Sequence, residues 1–281
     1  MQPMEFKYRA GQRTTYLQNA DTVPVIRYHI FDDLPVLCGV STRMGGVSRG
    51  HLGAMNLSYT RGDDPERVTE NHRLFARSLG YDEKRLVLSD QIHETTILRA
   101  EEKDAGCGVL QKAVDGLMTA DPSLPLMTFY ADCVPLLFYD PKKHVIAMSH
   151  SGWKGTVAKI GEKTVTSLSS AFGSRPEDIL CAIGPSICQN CYEVDRPVKD
   201  AFTASFGQAA KSFFTPSEND DHYYLDLASA CRYTLLSAGI QPSHLAMPDL
   251  CTCCNPELLF SHRASGGKRG NLAAVMQLLP A

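Results

Sequence analysis

Residues 126–155 read LMTFYADCVPLLFYDPKKHVIAMSHSGWKG. Three short apolar runs, Leu126 to Ala131, Pro135 to Tyr139 and Val145 to Ser149, follow one another with only turn residues between them. They are rich in β-formers and too short for helices, so each reads as a strand. Trp153-Lys154-Gly155 then opens a longer helix. Val157, Ile160, Val165, Leu168 and Phe172 give it an apolar stripe, and Gly173 caps it. Strand following strand before any helix breaks strict βα alternation. The expectation is therefore an α+β fold with a mixed sheet, not a doubly wound one.

Working outward, Val36 to Thr42 is β-branched and weakly alternating, and runs into the turn Arg43-Met44-Gly45-Gly46. Asp64-Pro65 supplies an N-cap and a first-turn Pro for a helix bearing Val68, His72, Phe75 and Leu79 on one face, stopped by Gly80. Leu86 to Leu88, Thr95 to Leu98, Ile179 to Ile183 and Tyr223 to Leu227 read as strands. Asp195 opens a helix with Val198, Phe202 and Phe206 inward. Further helices are expected over Ala228 to Ala238 and Asn271 to Leu279. No G-x-G-x-x-G or G-x-x-x-x-G-K-[ST] is present, so the usual dinucleotide and P-loop sites lack support.

The chain has 281 residues, 28 Lys+Arg against 31 Asp+Glu, and 43% hydrophobic residues. That is ordinary globular composition, without a basic field for nucleic acid or membrane. The N-terminus lacks the apolar core of a secretory signal, and no run is long enough to span a bilayer. No linker marks a boundary, so one domain over 1–281 in the cytoplasm is expected. There, thiols act as buried hydrophobes, metal ligands or nucleophiles before they form disulfides.

His93, Cys133 and His150 sit at strand ends or in turns. Two imidazoles and a thiolate suit Zn2+, and three protein ligands leave the open position of a catalytic site. Their spacings match no short zinc motif. The alternative is a buried thiol with two hydrogen-bonded core imidazoles. Cys188-x-x-Cys191 and Cys251-x-x-Cys254 form a second constellation, with Cys253 inside the second pair. It reads as a reduced structural cluster or, by pattern, as a Zn(Cys)4 site. Cys38, Cys107, Cys181 and Cys231 read as core or incidental. His72 and His262 read as structural. Asp132 would point to the face opposite Cys133, there to orient a ligand or cap a turn. Glu94 is a possible general base. Arg43 beside the glycine turn, Lys154 at a helix N-terminus and Arg263 are candidate anion contacts.

Several motifs occur together and in order: STRMGGVS (41–48), QIH (91–93), ADCVP (131–135), SHSGWKG (149–155), GPSI and CYEV (184–194), and CTCCNPE with FSHR (251–263). This set strongly resembles a family formerly described as polyphenol oxidases or laccase-domain proteins. Its members are now described as purine nucleoside phosphorylases with adenosine deaminase activity, some as cytoplasmic peptidoglycan-editing factors. The resemblance covers about 36–279, with 1–35 as an N-terminal extension packed on the rest. It implies a mixed β-sandwich with flanking helices, a monomer, and metal ligation by His93, Cys133 and His150. Many members carry K-T-G-R where this chain has Lys268-Arg269-Gly270-Asn271, so the motif does not assign a role to Arg269.

The resemblance implies a zinc enzyme for small purine nucleosides. It would cleave adenosine, inosine, guanosine or methylthioadenosine with phosphate and deaminate adenosine. One rival is an amidase acting on peptidoglycan precursors through the same three residues; another is a non-catalytic metal carrier. A copper polyphenol oxidase is the weakest reading. Copper could occupy the same site, but no two of the nine His are two residues apart, as a His-x-His copper relay requires.

Overall fold

The stretch 126–155 crosses between two sheets. Leu126–Tyr130 belongs to a seven-stranded sheet, whereas Val134–Asp140 and Val145–Ser151 are antiparallel neighbours in a six-stranded sheet. The turn Ala131-Asp132-Cys133 is the corner between them. The computed structural model describes residues 5–19 and 23–280. The seven-stranded sheet runs, edge to edge, through Thr15–Asn19, Pro24–Tyr28, Val36–Ser41, Leu272–Leu278, Leu126–Tyr130, Val87–Asp90 and Leu110–Lys112. The six-stranded sheet runs Leu245–Ala246, Leu180–Ile183, Val134–Asp140, Val145–Ser151, Gly116–Thr119 and Ile97–Arg99. Antiparallel pairs dominate both, with parallel pairs toward the edges. The mixed sandwich with flanking helices is thus what the chain adopts. The described part of the 1–35 extension supplies the first two strands of a sheet; residues 1–4 and 20–22 lie outside the described residues.

Strand alternation distributes the core over three interfaces. Leu137, Tyr139, Ile146 and Met148 from one sheet meet Leu126, Ala274 and Met276 from the other between the sheets. Leu136, Phe138, Val145 and Ala147 face the opposite way, against the helices Ile160–Phe172, Arg196–Phe206 and Leu227–Ser237. On the far side, Ala273, Val275 and Met127 pack on Phe75 and Ala76 of the helix Pro65–Leu79. Each fully buried Leu, Val or Phe contributes roughly 1.5–3 kcal/mol.

This layering explains the largest departure from the expected elements. Asn271 to Leu279 was expected to be helical; instead Leu272–Leu278 is a central strand between Val36–Ser41 and Leu126–Tyr130. Both its faces are covered, so the apolar run is continuous and carries no period of two to distinguish it from a buried helix. The expected long helix after Trp153 is also divided. Trp153–Val157 ends, Lys159 takes a left-handed φ of 60°, and Ile160–Phe172 starts anew.

The helix Pro65–Leu79 forms as its sequence dictates. The Asp64 carboxylate accepts the Glu66 N–H, and Gly80 closes the helix at φ 85°. His72 on its inner face is fully buried, stacks on Tyr59 at 5.3 Å and hydrogen-bonds through Nε2 to the Leu57 carbonyl at 2.8 Å. Burial lowers its pKa from 6.5 to about 4. The unfolded chain therefore binds the extra proton between those values. His72 favours the fold fully above pH 6.5, and that contribution is lost as pH falls through 4, by roughly 3 kcal/mol. In His72→Gln, which keeps a donor but does not titrate, urea midpoints at pH 7 and pH 4.5 should differ less than in the parent protein. An equal difference would contradict this assignment.

Candidate active site

The corner between the sheets gathers the three expected ligands. Cys133 stands at the corner itself. His150 lies in the strand Val145–Ser151, 3% exposed, and His93 sits in the loop after Val87–Asp90. One ligand atom from each lies within 4.8 Å of the others. Cys133 Sγ is 3.9 Å from His93 Nε2, and the two imidazole rings meet edge to face at 4.8 Å.

Asp115 organises them, and sequence reasoning missed it. It is fully buried. Its carboxylate accepts the backbone N–H groups of Ile92, His93 and Glu94 at 3.1, 3.0 and 2.9 Å, which shapes the loop and holds His93 at a left-handed φ of 65°. The same carboxylate hydrogen-bonds His150 Nδ1 at 3.0 Å, which leaves His150 Nε2 for the site. A carboxylate behind a ligating imidazole fixes the ring's tautomer and raises its basicity. Burial opposes ionisation of Asp115, but His150 and these amides outweigh it and hold the carboxyl below its usual range. The one signal in the sequence was an acid set among apolar residues, Val114-Asp115-Gly116-Leu117-Met118, since buried carboxylates need partners.

In the metal-free protein, burial disfavours the Cys133 thiolate. The imidazoles of His150 and His93 outweigh that and bring its pKa down from 9.0 to about 6. Burial likewise opposes charge on His150, yet Cys133 and Asp115 raise it to about 9. A thiolate and two imidazoles, one backed by a carboxylate, form a donor set that fits Zn2+ or copper. The pocket is also cut to size. A Cβ at Gly152 would lie 2.9 Å from His93 Cδ2 and 3.2 Å from Cys133 Sγ. Gly152→Ala should therefore displace His93 and lower zinc retention after dialysis by about 10-fold or more, with an unchanged melting profile for the metal-free protein. Full zinc retention would show that the His93 position does not matter.

A cavity of about 590 Å3 opens beside the trio, within the ~300–1,000 Å3 range of small-molecule sites. Trp153, Tyr192, Ile187 and Leu227 give it apolar and aromatic walls. Lys154 and Arg263 line it, as do Arg269 and Arg61, a turn residue that no motif marked. A smaller adjoining cavity of about 160 Å3 is lined by the same Arg61 and Arg269 together with His93, Cys133 and His150. Burial, and then the nearby Arg61, lower the Arg269 pKa from 12.5 to about 10. The Nε atoms of both arginines are buried without a hydrogen-bond partner among the described residues.

Other expectations need correction. Arg43 lies away from these two cavities. Its guanidinium donates to the carbonyls of Gly53 and Pro256 and packs over Phe260, so it clamps loops together. The adjacent glycine turn is packed as well, since a Cβ on Gly46 would strike the Ala54 carbonyl at 2.4 Å. The helix after Gly152 is too short to offer an anion more than the Lys154 side chain. Asp132 is in the turn, at φ 92°, and not in a strand. Its carboxylate accepts the Thr252 hydroxyl at 2.6 Å and the Arg263 N–H at 2.7 Å, tying a distant loop to the corner. Arg263 itself donates to the Glu193 carbonyl at 2.8 Å. Glu94 is exposed and lines neither cavity, whereas His262 lies at the cleft's exposed rim.

Among the described residues, the groups of three or more potential ligands are this trio and the four cysteines 188, 191, 251 and 254. None resembles a multi-copper His cluster. Among the described residues no helix is long and apolar enough to cross a membrane.

Comparison with known proteins places the chain in a family. Residues 37–279 match the model described as multi-copper polyphenol oxidoreductase laccase. Purine nucleoside phosphorylase YlmD of Bacillus subtilis is 34% identical over 253 residues, covering 86% of this chain and 88% of that protein. Among solved structures, YfiH of Bacillus licheniformis superposes with a TM-score of 0.87 at 32% identity, covering 92% of this chain and 97% of that one. YlmD from Geobacillus stearothermophilus gives 0.86 at 31% identity, covering 94% and 99%. The chain belongs to this laccase-like family, whose curated members include purine nucleoside phosphorylases.

Proposed function

We propose that the cleft binds a purine nucleoside and inorganic phosphate and cleaves the glycosidic bond, giving the free base and ribose 1-phosphate. Deamination of adenosine to inosine would be a second activity of the same centre. The observation that carries the reading is convergence: Arg61 and Arg269, with unpaired buried Nε atoms, open onto the same cavities as His93, Cys133 and His150.

His93, Cys133 and His150 would hold Zn2+, with Asp115 fixing His150. When bound, the ion supplies a Lewis acid and lowers the pKa of a coordinated water to about 7. Arg61 and Arg269 present fixed positive charge to phosphate, with Lys154 at the cleft edge. Arg61 is among the causes that lower the Arg269 pKa, and an oxyanion held by both guanidinium groups would relieve that repulsion. Trp153 and Tyr192 line the cleft, where aromatic stacking of a purine base would contribute about 1–3 kcal/mol. Ile187 and Leu227 exclude water from that wall. Holding phosphate beside the anomeric carbon supplies the proximity that a two-substrate displacement needs.

The test is product analysis of the zinc-loaded protein with adenosine, with and without phosphate. Adenine that forms only with phosphate supports phosphorolysis, and inosine in either case supports deamination. A fully loaded protein yielding neither product would overturn the reading in favour of amide hydrolysis.

A further inference from the structure

Cys188 and Cys191 lie in the loop after Leu180–Ile183, and Cys251 and Cys254 in a turn brought alongside it by the bridge between Ser186 and Cys251. Their four Sγ atoms lie within 4.8 Å of one another. Cys254 Sγ is 3.9 Å from that of Cys188 and 3.5 Å from that of Cys191. A tetrahedral tetrathiolate with metal–sulfur bonds of ~2.3 Å places its sulfurs roughly 3.8 Å apart. A disulfide would need ~2.05 Å. The Sγ of Cys251 accepts the backbone N–H groups of Cys188 and Cys254 at 3.2 and 3.4 Å, bonds that favour thiolate over thiol. Each pair has the two-residue spacing with which one turn directs two sulfurs at one centre. Cys253 stands outside the group.

We propose that Cys188, Cys191, Cys251 and Cys254 bind a second metal ion, of the thiolate-preferring tetrahedral class and foremost Zn2+. Four protein ligands leave no open position, so the centre is structural and independent of the nucleoside reading. Four thiolates around a divalent ion carry a net charge of about −2. Lys7, Arg9 and Asp226 line the cavity next to the cysteines, so one net positive charge stands beside the centre to offset it in part. The centre would brace the active site from behind. The Ile187 N–H donates to the Asp132 carbonyl at 3.0 Å, and Thr252 and Arg263 hold the Asp132 carboxylate. Both cysteine loops therefore grip the corner that presents Cys133, and Ile187 and Tyr192 from one of them line the cleft.

The experiment is elemental analysis of the full chain, purified under reducing conditions and supplied with zinc, followed by replacement with Co2+. Two equivalents of metal are expected. Cys188→Ser and Cys254→Ser should each lose one equivalent, and Cys253→Ser should lose none. Should the ligand variants fail to fold, the unmodified protein still decides. Its cobalt form should show sulfur-to-cobalt absorption well above that of a single thiolate ligand. One equivalent at most, with absorption matching one thiolate, would overturn the proposal. So would a Cys191–Cys254 disulfide found by mass analysis of the metal-loaded protein.

Discussion

Asp115→Asn is expected to weaken zinc binding by about 10- to 100-fold and to cut nucleoside cleavage at limiting zinc in proportion. The carboxylate receives four N–H donors, three from the His93 loop and one from His150. An amide offers one oxygen and turns an NH2 group toward the remaining donors. At least one buried N–H is then unpaired, at about 1–3 kcal/mol. Two losses combine: the loop that sets His93 relaxes, and His150 loses the partner that fixes its tautomer. The check is zinc affinity by chelator competition, with a thermal melt of the metal-free protein alongside. Weaker zinc binding with a largely retained fold is the expected result. Unchanged affinity would mean that the buried carboxylate supports the sheet corner and not the metal centre.

Arg269→Gln should separate the two proposed activities. Phosphorolysis needs an oxyanion held in the cleft, whereas hydrolytic deamination does not. Losing one charge-assisted contact costs about 1.5–3 kcal/mol, or roughly 10- to 100-fold in kcat/KM for phosphate. Arg61 remains, and the repulsion that lowers the Arg269 pKa disappears with it, so the phosphate site is weakened and not abolished. Inosine formation from adenosine should stay within about 3-fold of the parent protein, a change of under 1 kcal/mol. The measurement is initial rates of both products against phosphate concentration. A parallel fall in both would place Arg269 at the base or the metal, not at phosphate.

The three candidate ligands were legible by residue type and place, because His and Cys at strand ends or in turns stand out against an apolar background. Their convergence was implied by the ordered motifs and the family resemblance they carry, not by any local pattern, since it depends on a corner between two sheets. Asp115 escaped notice because a single acid just before an apolar strand resembles many solvent-facing ones until its four donors are in place. Arg61 lies in an ordinary polar turn and gains meaning only opposite Arg269. The strand Leu272–Leu278 looked helical for a related reason. Burial on both faces removes the alternation by which a strand is recognised, and the partners that bury it come from distant parts of the chain. Arg43 misled in the opposite direction: a cation beside two glycines suggested an anion site, yet its donors are engaged by backbone carbonyls. Local chemistry was readable, whereas the occupancy of each polar group by its neighbours was not.

The central claim is that His93, Cys133 and His150 hold the ion on which phosphate-dependent nucleoside cleavage depends. Its most direct test is to strip the protein with a chelator, restore zinc stepwise, and follow adenine release from adenosine with phosphate present. Activity should return in proportion to occupancy of a single site and should not return in Cys133→Ala. Cleavage that persists in the stripped protein, or that zinc restores equally in Cys133→Ala, would contradict the account.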